Sequence, residues 1–100
     1  MGVLYYDTSL GALKIDDRTL QHLMTVIISK LRRGEKFALS WDAQEDRGGR
    51  TTIWIDPAIQ LRFEFDDPEP AELNPQWLRR LTDSVTLHGG IHLLDEHPDA

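Results

Sequence analysis

The sequence predicts an α+β fold: a two-layer, mainly antiparallel sheet with two helices on one face, in the order ββαβββαβ. Three observations lead to it. Residues 16–33 carry apolar side chains at the period of a helix, later segments alternate apolar and polar residues as strands do, and a second helical pattern follows an acidic connector. One hundred residues suffice for a single core, so we expect one domain over 1–94 and a flexible tail over 95–100.

The first helix is the most strongly marked element. Asp16 or Asp17 can cap its first turn, and Gly34 can adopt the left-handed conformation that ends a helix. Its apolar residues are spaced i, i+3, i+4, i+7, i+8 and i+11, which predicts that all of them face the core. They are Leu20, Leu23, Met24, Ile27, Ile28 and Leu31.

Strand patterns occupy six further segments: Val3–Tyr6, Ala12–Ile15, Phe37–Asp42, Thr51–Asp56, Ile59–Asp66 and Ile91–Leu94. The fifth has the clearest period of two, from which we expect a central strand. Residues 66–72 contain two prolines and should form no regular structure. Asn74 and Pro75 then mark the start of the second helix, which ends before two glycines at 89 and 90.

The composition narrows the classes of function. The net charge is −6, and residues 51–100 carry three basic and ten acidic side chains, so general affinity for nucleic acid is disfavoured. The absence of cysteine excludes disulfides and thiolate chemistry and fits a cytosolic protein. No apolar run is long enough to span a membrane, and the N-terminus lacks the pattern of a secretory signal. We therefore expect a cytoplasmic protein without a membrane partner.

Catalytic motifs are few and incomplete. Lys14-Ile15-Asp16-Asp17 is partly similar to the K-x-D-G signature of nucleotidyltransferases, in which the lysine takes the nucleotide, but Asp17 stands where glycine is needed. Nucleotidyltransferase domains also need roughly twice this length. His22 falls on the polar side of the first helix with Thr25, which predicts an exposed polar stripe. We expect no enzymatic activity, no catalytic residue and no cofactor.

Histidines and carboxylates cluster near the C-terminus. His88, His92 and His97, with Asp95 and Glu96 between them, are the residue types that bind zinc. Two glycines separate the first histidine from the second, so the two do not share a helical face. His88 also suits a helix C-terminus. These residues remain weak candidates for a metal site, and we assign no metal.

The candidate binding surface is the sheet face opposite the helices. Trp54 should project from it because Ile53 and Ile55 point inward, and Lys14, Ser40, Arg62 and either Tyr5 or Tyr6 should share it. We add Arg47 and Arg50 from the polar loop, so the proposed surface is Trp54, Arg62, Lys14, Arg47 and Arg50. An aromatic side chain among basic ones can stack bases or form the centre of a homodimer contact. The basic cluster at Lys30, Arg32, Arg33 and Lys36 is explained by the helix dipole.

Five segments carry a family resemblance: Met1-Gly2-Val3-Leu4-Tyr5-Tyr6, residues 15–23 (IDDRTLQHL), 30–41 (KLRRGEKFALSW), 49–54 (GRTTIW) and 74–81 (NPQWLRRL). On these motifs the chain resembles a group of short actinobacterial proteins of unknown function, often labelled "ATP-dependent DNA ligase". The resemblance covers nearly the whole chain. It implies no activity, and the label implies at most an association with DNA metabolism.

Three hypotheses stay open from the sequence. The first is a non-catalytic binding module that forms a homodimer through the sheet face or a strand edge, or contacts another protein. The second is a nucleic-acid-binding accessory protein that uses Trp54 and its basic neighbours. The third is a nucleotidyl-transferring enzyme with Lys14 as nucleophile.

Overall fold

The computed structural model describes residues 1–7, 12–42, 49–88 and 90–92. Two helices and six strands lie within these residues, in the predicted order, and confirm the α+β class. They are β1 (Gly2–Tyr6), β2 (Ala12–Ile15), α1 (Asp17–Arg32), β3 (Phe37–Asp42), β4 (Arg50–Ile55), β5 (Leu61–Glu64), α2 (Pro75–His88) and β6 (Gly90–His92). The predicted tail, residues 95–100, lies outside the described residues.

The strands form two three-stranded sheets rather than one. One sheet has the order β2-β1-β5 with both pairs antiparallel, and the other has the order β4-β3-β6, in which β3 and β6 are parallel. The prediction of a central fifth strand is wrong, because β5 lies at the edge of its sheet beside β1. Alternation of apolar and polar residues indicates only that one face of a strand contacts solvent. Edge strands and central strands of antiparallel sheets both have this property, so the pattern does not distinguish them.

Helix α1 is capped as predicted, but its buried face is rotated from the predicted one. Asp16 caps the first turn by accepting a hydrogen bond from the Thr19 backbone N–H, and Gly34 has a left-handed φ of 74°. Met24 is only half-buried and Ile28 is exposed. Leu20, Leu23 and Ile27 are buried as predicted, and His22, Val26 and Lys30 are buried with them. The rotation arises because α2 and the connector before it cover the His22 side of the helix.

One core joins the two sheets and the two helices. Its buried members are Leu4, Leu13, Ile15, Leu20, Leu23, Val26, Ile27, Phe37, Leu39, Ile55, Trp77 and Leu81. Asn74 caps α2 by accepting from the backbone N–H groups of Gln76 and Trp77, as its position before Pro75 predicts. The Tyr6 hydroxyl donates to the Trp54 carbonyl at 2.6 Å, which ties β1 of one sheet to β4 of the other.

Neither described helix combines the length and the apolar character that crossing a membrane requires.

Candidate functional site

Trp54 stands on the outer face of the β4-β3-β6 sheet, as predicted. Its side chain is 53% exposed, and its neighbour across the ladder is Ala38, which in turn pairs with Gly90. A Cβ atom at position 90 would lie 2.6 Å from the Ala38 carbonyl oxygen, so this position requires glycine. Both neighbours of Trp54 in this row are small, and the hydrogen-bonded hydroxyl groups of Ser40 and Thr52 lie in the next row of the same face.

The predicted binding residues do not share one surface. Lys14 and Arg62 lie on the outer face of the β2-β1-β5 sheet, whereas Trp54 and Arg50 lie on the outer face of the β4-β3-β6 sheet. Arg47 lies outside the described residues. The prediction placed these residues on one surface because it assigned all the strands to a single sheet. The strands form two sheets, so the residues lie on two separate surfaces.

Arg62 is held by its own neighbours. Its guanidinium carbon lies 4.4 Å from the centroid of the Tyr5 ring, and its Nε lies 3.2 Å from a carboxylate oxygen of Glu64. Tyr5 is thus the tyrosine that joins the outer face, while Tyr6 points inward. The paired carboxylate reduces the positive charge that Arg62 can offer to a phosphate.

Polar side chains between Asp16 and His22 hold the acidic connector, residues 66–72, by hydrogen bonds. The backbone N–H groups of Asp66 and Asp67 donate to the Asp17 carboxylate at 3.3 and 2.8 Å. The Arg18 guanidinium donates to the carbonyl of Glu72 at 2.8 Å. These contacts fasten a proline-rich segment without regular structure along the first turns of α1. The two side chains therefore have a structural task that their positions in the sequence did not reveal.

His22 completes this attachment and contradicts the prediction of an exposed residue. It is fully buried, its Nε2 accepts from the Asn74 backbone N–H at 2.8 Å, and its Nδ1 lies 2.7 Å from the Arg18 carbonyl oxygen. Because a carbonyl can only accept, Nδ1 carries the proton. The ring also stacks on Trp77 with centroids 4.4 Å apart. No local sequence signal marked this role, because the donor to His22 is a backbone N–H 52 residues further along the chain.

Two charged groups beside the N-terminus of α1, the amino terminus and the Asp17 carboxyl group, have shifted pKa values. A hydrogen bond from the Met1 ammonium group to the Asp66 carboxylate raises the pKa of the amino terminus. The backbone N–H of Asp67, with a smaller contribution from that of Asp66, lowers the pKa of the Asp17 carboxyl group. Neither group is deeply buried, so these shifts reflect local attachment rather than a desolvated catalytic centre.

Helix α1 also presents a solvent-facing row of side chains spaced i, i+4, i+7, i+11 and i+15. We call it the α1 stripe, and it consists of Asp17, Gln21, Met24, Ile28 and Arg32. A groove of about 350 Å³ flanks its N-terminal end and is lined by Phe65 and the connector, and one of about 430 Å³ flanks its C-terminal end beside Arg33. The stripe therefore runs from acidic through apolar to basic.

The remaining basic and histidine clusters are dispersed. Lys30 is buried, 3.6 Å from Glu35, which also pairs with Arg33 at 2.8 Å, and Lys36 lies 3.9 Å from Asp56. Within the described part of the chain, no three potential metal ligands come together. The side chains of His88 and His92, and all of His97, lie outside that part.

The family comparison covers nearly the whole chain. Searches of curated proteins and of solved structures found no match. The family model described as "Domain of unknown function (DUF7882)" matches residues 1–96. On that match the chain belongs to this family of unknown function.

Proposed function

We propose that the chain is a non-catalytic protein-interaction module that acts in the cytoplasm as a homodimer. The observation that carries this proposal is the exposure of large apolar side chains on regular elements, with Trp54 53% and Ile28 39% exposed. Exposed apolar surface on a rigid element is typical of protein contacts, and tryptophan is enriched among the residues that dominate them.

The absence of catalysis is supported by what the polar residues already do. Asp16 caps a helix, Asp17 and Arg18 hold the connector, and both ring nitrogens of His22 are engaged. Lys14, the candidate nucleophile, stands exposed on β2, one of the two edge strands of its sheet. A nucleotide-accepting lysine needs an enclosed site that aligns it with a phosphate. Incubation with labelled ATP should therefore leave the mass of the chain unchanged, and a covalent adduct at Lys14 would contradict the proposal.

Self-association has a direct test in multi-angle light scattering over a wide range of concentrations. We expect the mass to rise from the 11.5 kDa of one chain towards twice that value. The Leu73→Ala variant serves as a control, because Leu73 is 45% exposed but belongs to neither helix nor strand. A mass that stays at one chain at every concentration would overturn the homodimer.

The surface around Trp54 is then available for a second protein. The exposed indole, with the small residues Ala38 and Gly90 beside it, suits a partner that lays an apolar surface across the sheet. Once such a partner is identified, its binding should be lost in Trp54→Ala and unchanged in Tyr5→Phe, since Tyr5 lies on the other sheet.

Nucleic-acid binding is the alternative, with an association with DNA metabolism as its context. One observation favours it: the outer face of each sheet combines an aromatic residue with an arginine, Trp54 with Arg50 and Tyr5 with Arg62. The net charge of −6 weighs against it. Fluorescence titration with single- and double-stranded DNA and RNA at two salt concentrations tests it, and no binding at low salt would end the idea.

A further inference from the structure

We infer that the α1 stripe is a self-complementary surface through which two copies of the chain associate with their α1 helices antiparallel. This inference rests on the proposed homodimer and names the surface that forms it. The stripe is acidic at Asp17, apolar at Met24 and Ile28, and basic at Arg32. Its central residues follow a helical period that normally marks a buried face, yet Ile28 is 39% exposed. Among the described residues, the stripe is half-buried at Asp17, Gln21 and Met24 and exposed at Ile28 and Arg32.

The order of charge along the stripe specifies the pairing. Asp17 and Arg32 are about 22 Å apart along the helix axis, at a rise of about 1.5 Å per residue. Their midpoint falls at Met24 and Thr25. A twofold axis there places Arg32 of each copy opposite Asp17 of the other, and Ile28 opposite Gln21. A closed contact of this kind uses the same patch twice, and therefore stops at two copies.

The two grooves beside the stripe reinforce the same pairing. The N-terminal groove is lined by Asp17, Asp67 and Glu69 against the single positive charge of Arg18, so it is acidic. The C-terminal groove is lined by Arg32 and Arg33 with Met24 and Ile28, and because Arg33 pairs with Glu35 at 2.8 Å, Arg32 supplies its net positive charge. The antiparallel arrangement seats Arg32 of one copy in the acidic groove of the other.

A second copy is the occupant that this surface fits best. A helical partner docked antiparallel on the stripe must be basic opposite Asp17 and acidic opposite Arg32. The stripe itself meets that description, and it sets Ile28 of each copy against Gln21 of the other. The long-range repulsion between two chains of net charge −6 is opposed by these local opposite-charge contacts, since each dimer forms two of them.

Light scattering on five proteins tests the inference: the unmodified chain, Ile28→Glu, Arg32→Glu, Arg79→Glu and Trp54→Ala. Arg79 is exposed on α2, so its reversal makes the same change of charge away from the stripe. We expect the dimer Kd to rise by about tenfold or more in the two stripe variants and to stay unchanged in the other two. Circular dichroism checks that every variant keeps its helices.

A mixture of two variants with reversed charges distinguishes the loss of a dimer contact from the loss of the fold. Glu69→Lys should weaken the dimer because Glu69 lines the acidic groove. Mixing Arg32→Glu with Glu69→Lys sets the new carboxylate of one variant against the new ammonium group of the other, and the second contact of the mixed dimer keeps its original charges. The mixed dimer should therefore form with a lower Kd than the dimer of either variant alone, and its absence would overturn the proposed pairing.

Two results of the light scattering distinguish the interface from the homodimer itself. A dimer that persists in both stripe variants, or that is lost in Trp54→Ala alone, overturns the helix interface and leaves the homodimer standing. An unmodified chain that is always monomeric overturns both.

Discussion

At the scale of single residues, His22 joins α1 to two other parts of the chain. Its ring links the Arg18 carbonyl on its own helix to the Asn74 backbone N–H at the start of α2, and it stacks on Trp77. A smaller side chain would leave both a cavity and a donor without an acceptor. Burial of a polar side chain here is stabilising because both of its nitrogens are satisfied.

We expect His22→Ala to lower the free energy of unfolding by about 2–4 kcal/mol, since it combines a core truncation with an unsatisfied Asn74 N–H. Urea denaturation of the unmodified and mutant chains measures the difference. Gln21→Ala, a half-buried neighbour on the same helix, should change it by less than about 1 kcal/mol. Equal effects for the two variants would contradict the structural role of the histidine.

Asp17 gives a prediction for pH. Its carboxyl group has a lowered pKa in the folded chain, so the hydrogen bonds it accepts from residues 66 and 67 contribute stability above the ordinary carboxyl pKa. That contribution is lost as the pH falls through the lowered value, below about pH 4. The amide chemical shift of Asp67 should follow this titration in NMR spectra.

The matched variant for this titration is Asp17→Asn, which keeps an oxygen acceptor but cannot ionise. The chemical shift of the residue 67 amide should then lose the titration that reports Asp17. If the titration curve of that amide were the same in both proteins, the attachment would not depend on the charge of Asp17.

At the scale of elements, the two sheets meet at β1 and β4. Tyr5 and Tyr6 are adjacent in β1, but the alternation of the strand sends the first ring outward under Arg62 and the second inward to the Trp54 carbonyl. One strand thus serves an open surface and the junction between sheets. The connector after β5 is fastened to α1 in the same side-chain-to-backbone manner.

Tyr6→Phe should reduce stability by about 0.5–1.5 kcal/mol, because it removes the hydroxyl that donates to Trp54 while keeping the ring. Tyr5→Phe is the matched control on the next residue of the strand and should be nearly neutral, since Arg62 contacts the ring rather than the hydroxyl. Thermal unfolding of both variants measures the difference. A greater loss in Tyr5→Phe would argue against the link between sheets.

At the scale of the whole molecule, a single small core is shared by two sheets and two helices. A domain of this size has a modest free energy of unfolding, so association can add appreciably to it. The proposed homodimer would also cover Met24 and Ile28, the part of the helical apolar pattern that the core leaves in solvent.

The Tm of the unmodified chain should accordingly rise by several degrees over about a hundredfold increase in concentration, because mass action favours the folded dimer. The Arg32→Glu variant should show the same Tm throughout that range. Differential scanning fluorimetry at matched buffer and scan rate makes the comparison. A concentration-independent Tm in the unmodified chain would count against association of the folded state.

Several features of the fold and of the candidate site could be predicted locally. The caps at Asp16 and Asn74 and the turn at Gly34 depend on residues a few positions apart, and the structure confirms them. The exposure of Trp54 followed from alternation with Ile53 and Ile55. The prediction that Trp54 and Arg62 share one surface is wrong, because alternation does not say which strands share a sheet.

The sequence by itself determined the elements of this protein, their order and their caps, because these depend on neighbours along the chain and on periods of two and 3.6. Only the tertiary structure decided that the strands divide into two sheets and that α1 turns His22 inward and Ile28 outward. Those outcomes depend on what covers each face. The connector at residues 66–72, which has no pattern of its own, binds Asp17 and Arg18, and the start of α2 at Asn74 binds His22.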